Sequence, residues 1–78
     1  MIMQNTRHAA TTIGLEVRQV REAHGLRQDE LALAAGVSTR AVHQIESGKP
    51  TTRFDILVRV TAALGLEITV ASRHPVKP

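Results

Sequence analysis

The stretch from Gln28 to Ser47, QDELALAAGVSTRAVHQIES, decides the fold of this chain. Its first eight residues are mostly strong helix formers, and Asp29 and Glu30 fall in the first turn, where acidic side chains favour the positive end of the helix dipole. Gly36 supplies the left-handed backbone conformation that ends a helix, and Ser38 can cap a new one. The stretch therefore predicts two short helices separated by a turn of only three residues.

Two helices joined by so short a turn must cross at a steep angle, which is the geometry of a helix-turn-helix. This motif needs a small residue where the helices cross, here Ala32, and a glycine at the turn. It also needs apolar residues that lock the second helix onto the first, here Val42 and Ile45. The spacing predicts a helix-turn-helix whose second helix runs from Ser38 to Ser47.

Flanking periodicity predicts two further helices. Ile13, Val17 and Val20 recur at helical spacing, which predicts a first helix over about 12–24, capped by one of the threonines at 11 and 12. A fourth helix follows the loop after the motif and ends at Gly65. The spacing predicts that its inner face consists of Phe54, Leu57, Val58, Thr61 and Leu64.

After Gly65 the spacing of apolar residues changes from the period of a helix to a period of two. Residues 66–71 alternate apolar with smaller or polar side chains, which is typical of a β-strand. A lone strand leaves backbone N–H and C=O groups unpaired, and the sequence offers no second strand. Antiparallel pairing with a second copy would satisfy these groups and bury Leu66, Ile68 and Val70. A strand packed on its own subunit and an irregular tail are the alternatives.

Composition narrows the class of protein. Seventy-eight residues predict one domain with a small core, so we expect oligomerisation to add stability. The absence of cysteine excludes disulfides and thiolate-bound zinc, and one aromatic residue is too few to stack single-stranded bases. No apolar run approaches a membrane span or a signal peptide, which predicts a cytoplasmic protein without a membrane partner.

Enzymatic chemistry finds no support in the sequence. No Ser/His/Asp triad spacing, phosphate-binding glycine loop or metal-ligand cluster is present, so we expect no catalytic residue and no cofactor. His43 and Glu46 are three residues apart but form at most half of a metal site. The net charge of +3 supports a nucleic-acid partner only weakly, so the positions of the charges matter more.

Three segments carry a resemblance to a known family: GLRQDELA (25–32), AGVS (35–38) and VHQIESGK (42–49). Together they closely resemble the Cro/phage-repressor (XRE) family over about residues 12–65. The resemblance implies an all-α, lambda-repressor-like four-helix DNA-binding domain, to which the periodicity adds a short C-terminal β-strand pairing across a dimer. The expected organisation is a flexible N-terminal arm (1–11), a helix-turn-helix domain (12–65), a dimerisation strand (66–72) and a flexible tail (73–78).

Within that family the chain most resembles the antitoxin branch typified by HipB. The short linker PTTRF (50–54) and the segment GLEITV (65–70) directly after the fourth helix carry this resemblance. It implies a homodimeric autorepressor that binds a palindromic double-stranded DNA operator, associates with the nucleoid and pairs with a HipA-like kinase toxin. A solitary phage-type or restriction-controller regulator, and a protein-binding module on the same fold, remain open.

The outward face of the second motif helix supplies candidate base-reading residues. Arg40 can bond guanine and Gln44 adenine through two hydrogen bonds each, and a good pair of this kind discriminates by about 1–3 kcal/mol. The set comprises Thr39, Arg40, His43 and Gln44. Solvated polar residues on an exposed helix are the alternative interpretation.

Candidate phosphate-binding residues surround this face. The family resemblance places Gln28 on a phosphate, where a helix N-terminus adds backbone N–H groups. The full set is Gln28, Arg27, Ser38, Lys49 and Arg53; for the charged members a solvated surface charge is the alternative. The resemblance also implies a partly buried ion pair of Arg21 and Glu46 with a structural role.

Overall fold

The computed structural model describes residues 6–71. Within them, four helices follow one another: α1 (Thr6–Ala23), α2 (Gln28–Ala35), α3 (Thr39–Glu46) and α4 (Phe54–Ala63). The four-helix, all-α part of the predicted fold is confirmed, with α2 and α3 separated by the short predicted turn. No helix in this part of the chain is both long and apolar enough to cross a membrane.

Helix α1 begins well before its predicted start, so the assignment of residues 6–11 to a flexible arm is wrong. Thr11 and Thr12, expected as caps, instead lie inside the helix, where their hydroxyl groups donate to the carbonyl oxygens of Arg7 (2.9 Å) and His8 (3.0 Å). A threonine hydroxyl can bond the preceding turn in this way without ending a helix. Residues 1–5 of the predicted arm lie outside the described residues.

The predicted strand is not formed: residues 66–71 are irregular. Strands need ladder hydrogen bonds to a neighbour, and residues 6–71 contain no other strand that could provide them. Leu66 is half-buried and donates its N–H to the carbonyl oxygen of Thr61 at 2.9 Å, whereas Val70 is 99% exposed. Residue 72 and the predicted tail lie outside the described residues, and pairing across a dimer stays a prediction.

The core lies between the four helices and fixes the orientation of α3. Helix α3 packs against α1 and α2, and α4 packs against α2. Val42 and Ile45 of α3 are buried, and complete burial of each such side chain stabilises the fold by about 1.5–3 kcal/mol. The buried apolar residues are Val17, Leu31, Ala32, Val42, Ile45, Val60 and Leu64.

Helix α1 approaches the C-terminal end of α3 very closely, at Gly14. A Cβ atom on Gly14 would collide with the carbonyl oxygen of Ile45 and lie 3.1 Å from that of Glu46. Because both neighbours are backbone atoms, only glycine lets the two helices meet at this distance. α1 therefore braces the end of α3.

Candidate nucleic-acid interface

The turn between α2 and α3 has the geometry that the glycine predicted. Gly36 adopts φ 70° and ψ 36°, and Val37 donates its N–H to the carbonyl oxygen of Ala32 at 3.0 Å. Ser38 then caps α3, since its Oγ accepts from the N–H of Ala41 at 3.0 Å. The Ser38 hydroxyl keeps its own proton for a further acceptor, so its predicted contact with a phosphate is compatible with capping.

Helix α3 exposes one polar face to solvent. Thr39, Arg40 and His43 are exposed and Gln44 is half-buried, while the opposite face is buried in the core. Arg40 forms no ion pair within residues 6–71, so its guanidinium group is available. The face brings Thr39, Arg40 and Gln44 together, whereas His43 also lines a cleft that faces α1.

Two predicted phosphate-binding arginines, Arg27 and Arg53, already have acidic partners. Arg27 contacts Asp29 (3.0 Å) and Arg53 contacts Asp55 (3.0 Å). The hydrogen bond to Asp29 raises the pKa of Arg27, and the same bond lowers the pKa of Asp29. Exposed pairs of this kind contribute little to stability, so either arginine can turn to a phosphate.

Gln28 and Lys49 both lie near the C-terminal end of α3. Gln28 opens α2 and is half-buried, with its Nε2 donating to Oε1 of Glu46 at 3.1 Å. Lys49 is exposed in the loop after α3, where its backbone N–H donates to the carbonyl oxygen of Gln44 at 3.0 Å. Lys49 forms no ion pair within residues 6–71, so its ammonium group is available to a phosphate.

Arg21 and Glu46 form a two-pronged ion pair between α1 and α3. Arg21 Nε donates to Glu46 Oε2 at 2.6 Å, Nη2 donates to Oε1 at 3.0 Å, and Nη1 donates to the carbonyl oxygen of Leu26 at 2.7 Å. The side chains are only 11% and 4% exposed. Burial alone would raise the pKa of Glu46, but hydrogen bonds from Arg21 and Gln28 outweigh it and hold that pKa below its usual value.

Two features of this region escaped the sequence analysis. Gly14 could have been identified from the sequence as a helix contact. A glycine inside a helix lowers helix stability by about 1 kcal/mol relative to alanine and often marks a position where another backbone approaches closely. Arg18, which lines the cleft beside His43, gave no such signal, because an arginine on an amphipathic helix is ordinary. Among residues 6–71, no group of three or more acidic or histidine side chains could hold a metal ion.

The chain is similar in sequence to known helix-turn-helix proteins. A family model described as helix-turn-helix matches residues 17–70, which include all of α2, α3 and α4. The "Uncharacterized HTH-type transcriptional regulator y4mF" of Sinorhizobium fredii (strain NBRC 101917 / NGR234) is 45% identical over 58 residues. That alignment covers 74% of this chain and 76% of the relative.

Proposed function

The chain belongs to this helix-turn-helix family, and we propose that it is a sequence-specific transcriptional repressor, not an enzyme, that binds double-stranded DNA through α3. One observation carries the proposal: the polar face with Arg40 and Gln44 is presented to solvent by a helix locked from behind by Val42 and Ile45. A helix presented in this way fits the major groove of B-DNA, about 12 Å wide. The Sinorhizobium relative is named as an HTH-type transcriptional regulator, which supports a role in transcription regulation.

In this proposal, base reading and phosphate binding are divided among different residues. Arg40 bonds a guanine and Gln44 an adenine, with Thr39 and His43 completing the outward face. Phosphate contacts fix the orientation of the protein on the duplex without carrying sequence information. They come from Gln28, Arg27, Ser38, Lys49 and Arg53.

The proposal includes a homodimer on a palindromic operator, acting in the cytoplasm on the nucleoid. The irregular segment 66–71 exposes Ile68 (39%) and Val70 (99%), which antiparallel pairing with a second copy would cover together with the backbone groups. A two-fold axis at that pairing would place the two α3 helices on half-sites about one helical turn, 34 Å, apart.

We further propose that the chain is the antitoxin and autorepressor of a type II toxin–antitoxin pair with a HipA-like kinase toxin. The support is the resemblance of linker 50–54 and segment 65–70 to HipB-like antitoxins. Affinity purification of the chain, co-expressed with its neighbouring reading frame, is expected to retain a kinase-like protein. If no neighbouring frame encodes one, the chain is a solitary regulator instead.

Gel-shift titration on the DNA upstream of the chain's own reading frame tests base reading. Arg40→Ala and Gln44→Ala are each expected to weaken specific binding by about 5- to 150-fold, the equivalent of 1–3 kcal/mol per bidentate pair. Exposed residues outside α3 give matched controls, Arg59→Ala and Gln19→Ala. Wild-type affinity and sequence preference in both α3 variants would refute the assignment.

A salt titration separates DNA binding from protein binding on the same face. A duplex ligand requires the logarithm of the binding constant to fall linearly with the logarithm of the salt concentration, with a slope near −0.9 per phosphate contact. Association that is insensitive to salt would instead assign the polar face to a protein partner.

A further inference from the structure

A polar cleft of about 240 Å³ lies where α1, the start of α2 and α3 meet. Six residues line it: Arg18, Arg21, Gln28, His43, Glu46 and Ser47. From the sequence, Arg21 and Glu46 were expected to form an ion pair, Gln28 to bind a phosphate and His43 to read a base, whereas Arg18 and Ser47 had no expected role. Their convergence on one cleft raises the question of what the cleft binds.

The acidic residue of the cleft does not repel an incoming anion, because its charge is already satisfied. Glu46 is 4% exposed and receives two hydrogen bonds from Arg21 and one from Gln28. Only one of the two Nε2 protons of Gln28 is used in that bond, so the second remains for another acceptor. Glu46 therefore holds the Gln28 amide in place as a donor at the mouth of the cleft.

Arg18 supplies the available positive charge. Its side chain is 59% exposed, and its contact with Glu22, which is 54% exposed, is long at 3.5 Å. An exposed pair of this kind is weak, so the guanidinium group can turn to a better acceptor. The charge of Arg18 also contributes to lowering the pKa of Glu46, which places Arg18 electrostatically within the same cluster.

His43 adds a third donor, from α3. His43 and Glu46 are three residues apart on α3, and both line the cleft together with Arg18 and Arg21 of α1. Arg40 and Gln44, on the same helix, do not line the cleft. The hydroxyl of Ser47 is not a donor here, because it already donates to the carbonyl oxygen of Gln44 at 3.1 Å.

We propose that this cleft binds one backbone phosphate of the operator duplex, with Arg18 as a phosphate-binding residue beside Gln28, and with His43 contacting that phosphate instead of a base edge. The inference rests on the proposed function. When α3 occupies the major groove, the sugar–phosphate backbone runs along the side of the helix, and the cleft occupies that side between α1 and α3. Arg18 of α1, Gln28 of α2 and His43 of α3 line the cleft and would each donate to that phosphate, which leaves Arg40 and Gln44 for the bases.

The test compares Arg18→Ala with Arg59→Ala. Both remove one exposed arginine, but Arg59 lies near Gly36, at the end of α2 opposite to Gln28. The probes are two duplexes of about 30 base pairs, long enough for two half-sites: the chain's own upstream DNA and a scrambled sequence of equal composition. Arg18→Ala is expected to weaken binding to both duplexes by the same factor. It should also make the slope of the logarithm of the binding constant against the logarithm of salt concentration shallower by about 0.9 per bound chain.

Three further variants sharpen the result. Arg18→Lys, which keeps the charge, is expected to retain the wild-type salt slope, and Arg59→Ala to leave it unchanged. His43→Ala is expected to weaken binding to both duplexes equally, without altering the preference for particular bases. Circular dichroism melting of each variant controls for folding, and Arg18 is exposed enough for its replacement to leave the melting temperature near that of the wild type.

A wild-type salt slope for Arg18→Ala, or an altered base preference for His43→Ala, would overturn the inference. If Arg40→Ala still lost sequence preference in the same assay, the proposed DNA-binding function would stand even though the phosphate site in the cleft had been refuted. Titration calorimetry with inorganic phosphate alone tests a free anion as the occupant. Saturable binding that Arg18→Ala abolishes, with the DNA salt slope unchanged, would reassign the cleft to free phosphate. Absence of any duplex binding by the wild type would refute both proposals.

Discussion

At the scale of single residues, the Arg21–Glu46 pair is expected to dominate the response to mutation. Because both side chains are nearly buried, removing one partner leaves an unpaired charge inside the fold, and Glu46→Ala should lower the free energy of unfolding by about 3–5 kcal/mol. Urea denaturation measures the loss. The exposed Arg18–Glu22 pair is the matched control, and Glu22→Ala should change stability by less than about 1 kcal/mol. A similarly small loss for Glu46→Ala would contradict a structural role for the pair.

The same carboxyl group predicts how stability depends on pH. The pKa of Glu46 is lower in the folded chain than its ordinary value of 4.5. The stabilisation is therefore complete above about pH 4.5 and is lost as the pH falls towards the folded-state pKa, because the unfolded chain binds the proton first. Urea denaturation at pH 6 and at successively lower pH values should show the free energy of unfolding falling as Glu46 is protonated. Glu46→Gln, which cannot ionise, should lack the part of this fall that Glu46 contributes. An identical pH profile for Glu46→Gln would refute the assignment.

At the scale of elements, the contact of α1 with α3 depends on Gly14. Alanine at this position would gain about 1 kcal/mol of helix propensity, but its Cβ would collide with backbone that cannot move aside. Overpacking of this kind costs about 1–3 kcal/mol, so we expect Gly14→Ala to destabilise the fold. Thermal unfolding should show a lower midpoint than for Gln19→Ala, which is an exposed site on the same helix. A raised midpoint for Gly14→Ala would contradict the close approach.

The elements also mark how far the sequence could predict the structure. Helices α2, α3 and α4 follow from local signals such as Gly36 and the Ser38 cap, and all three lie near their predicted positions. The predicted inner face of α4 is wrong at Phe54 and Val58, which are 68% and 40% exposed, because periodicity does not show how far a neighbouring element covers a face. The start of α1 could not be predicted in this way, because threonines cap helices and also tolerate their interiors. Convergence of Arg18, Gln28 and His43 on one cleft depends on how three helices pack, which periodicity within each helix does not encode.

At the scale of the whole molecule, net charge describes the protein poorly. The formal value is only +3, and several arginines are offset by neighbouring acids, as Arg27 is by Asp29. Arg40 and Lys49 form no ion pair within residues 6–71, and both lie on or next to the exposed face of α3. Local placement of unpaired cations therefore supports a DNA partner more strongly than the overall composition does.

Dimerisation through segment 66–71 is the prediction that involves the whole molecule. Val70 is 99% exposed in the single chain, and a two-fold interface would bury it twice, at about 1.5–3 kcal/mol for each copy. Val70→Asp should therefore weaken the dimer by at least about 100-fold in sedimentation equilibrium. Leu33→Asp is the matched control, because Leu33 is 85% exposed but lies on α2. Dimerisation of Val70→Asp with wild-type affinity would exclude this segment as the interface, and the spacing of about 34 Å between half-sites would then need another two-fold axis.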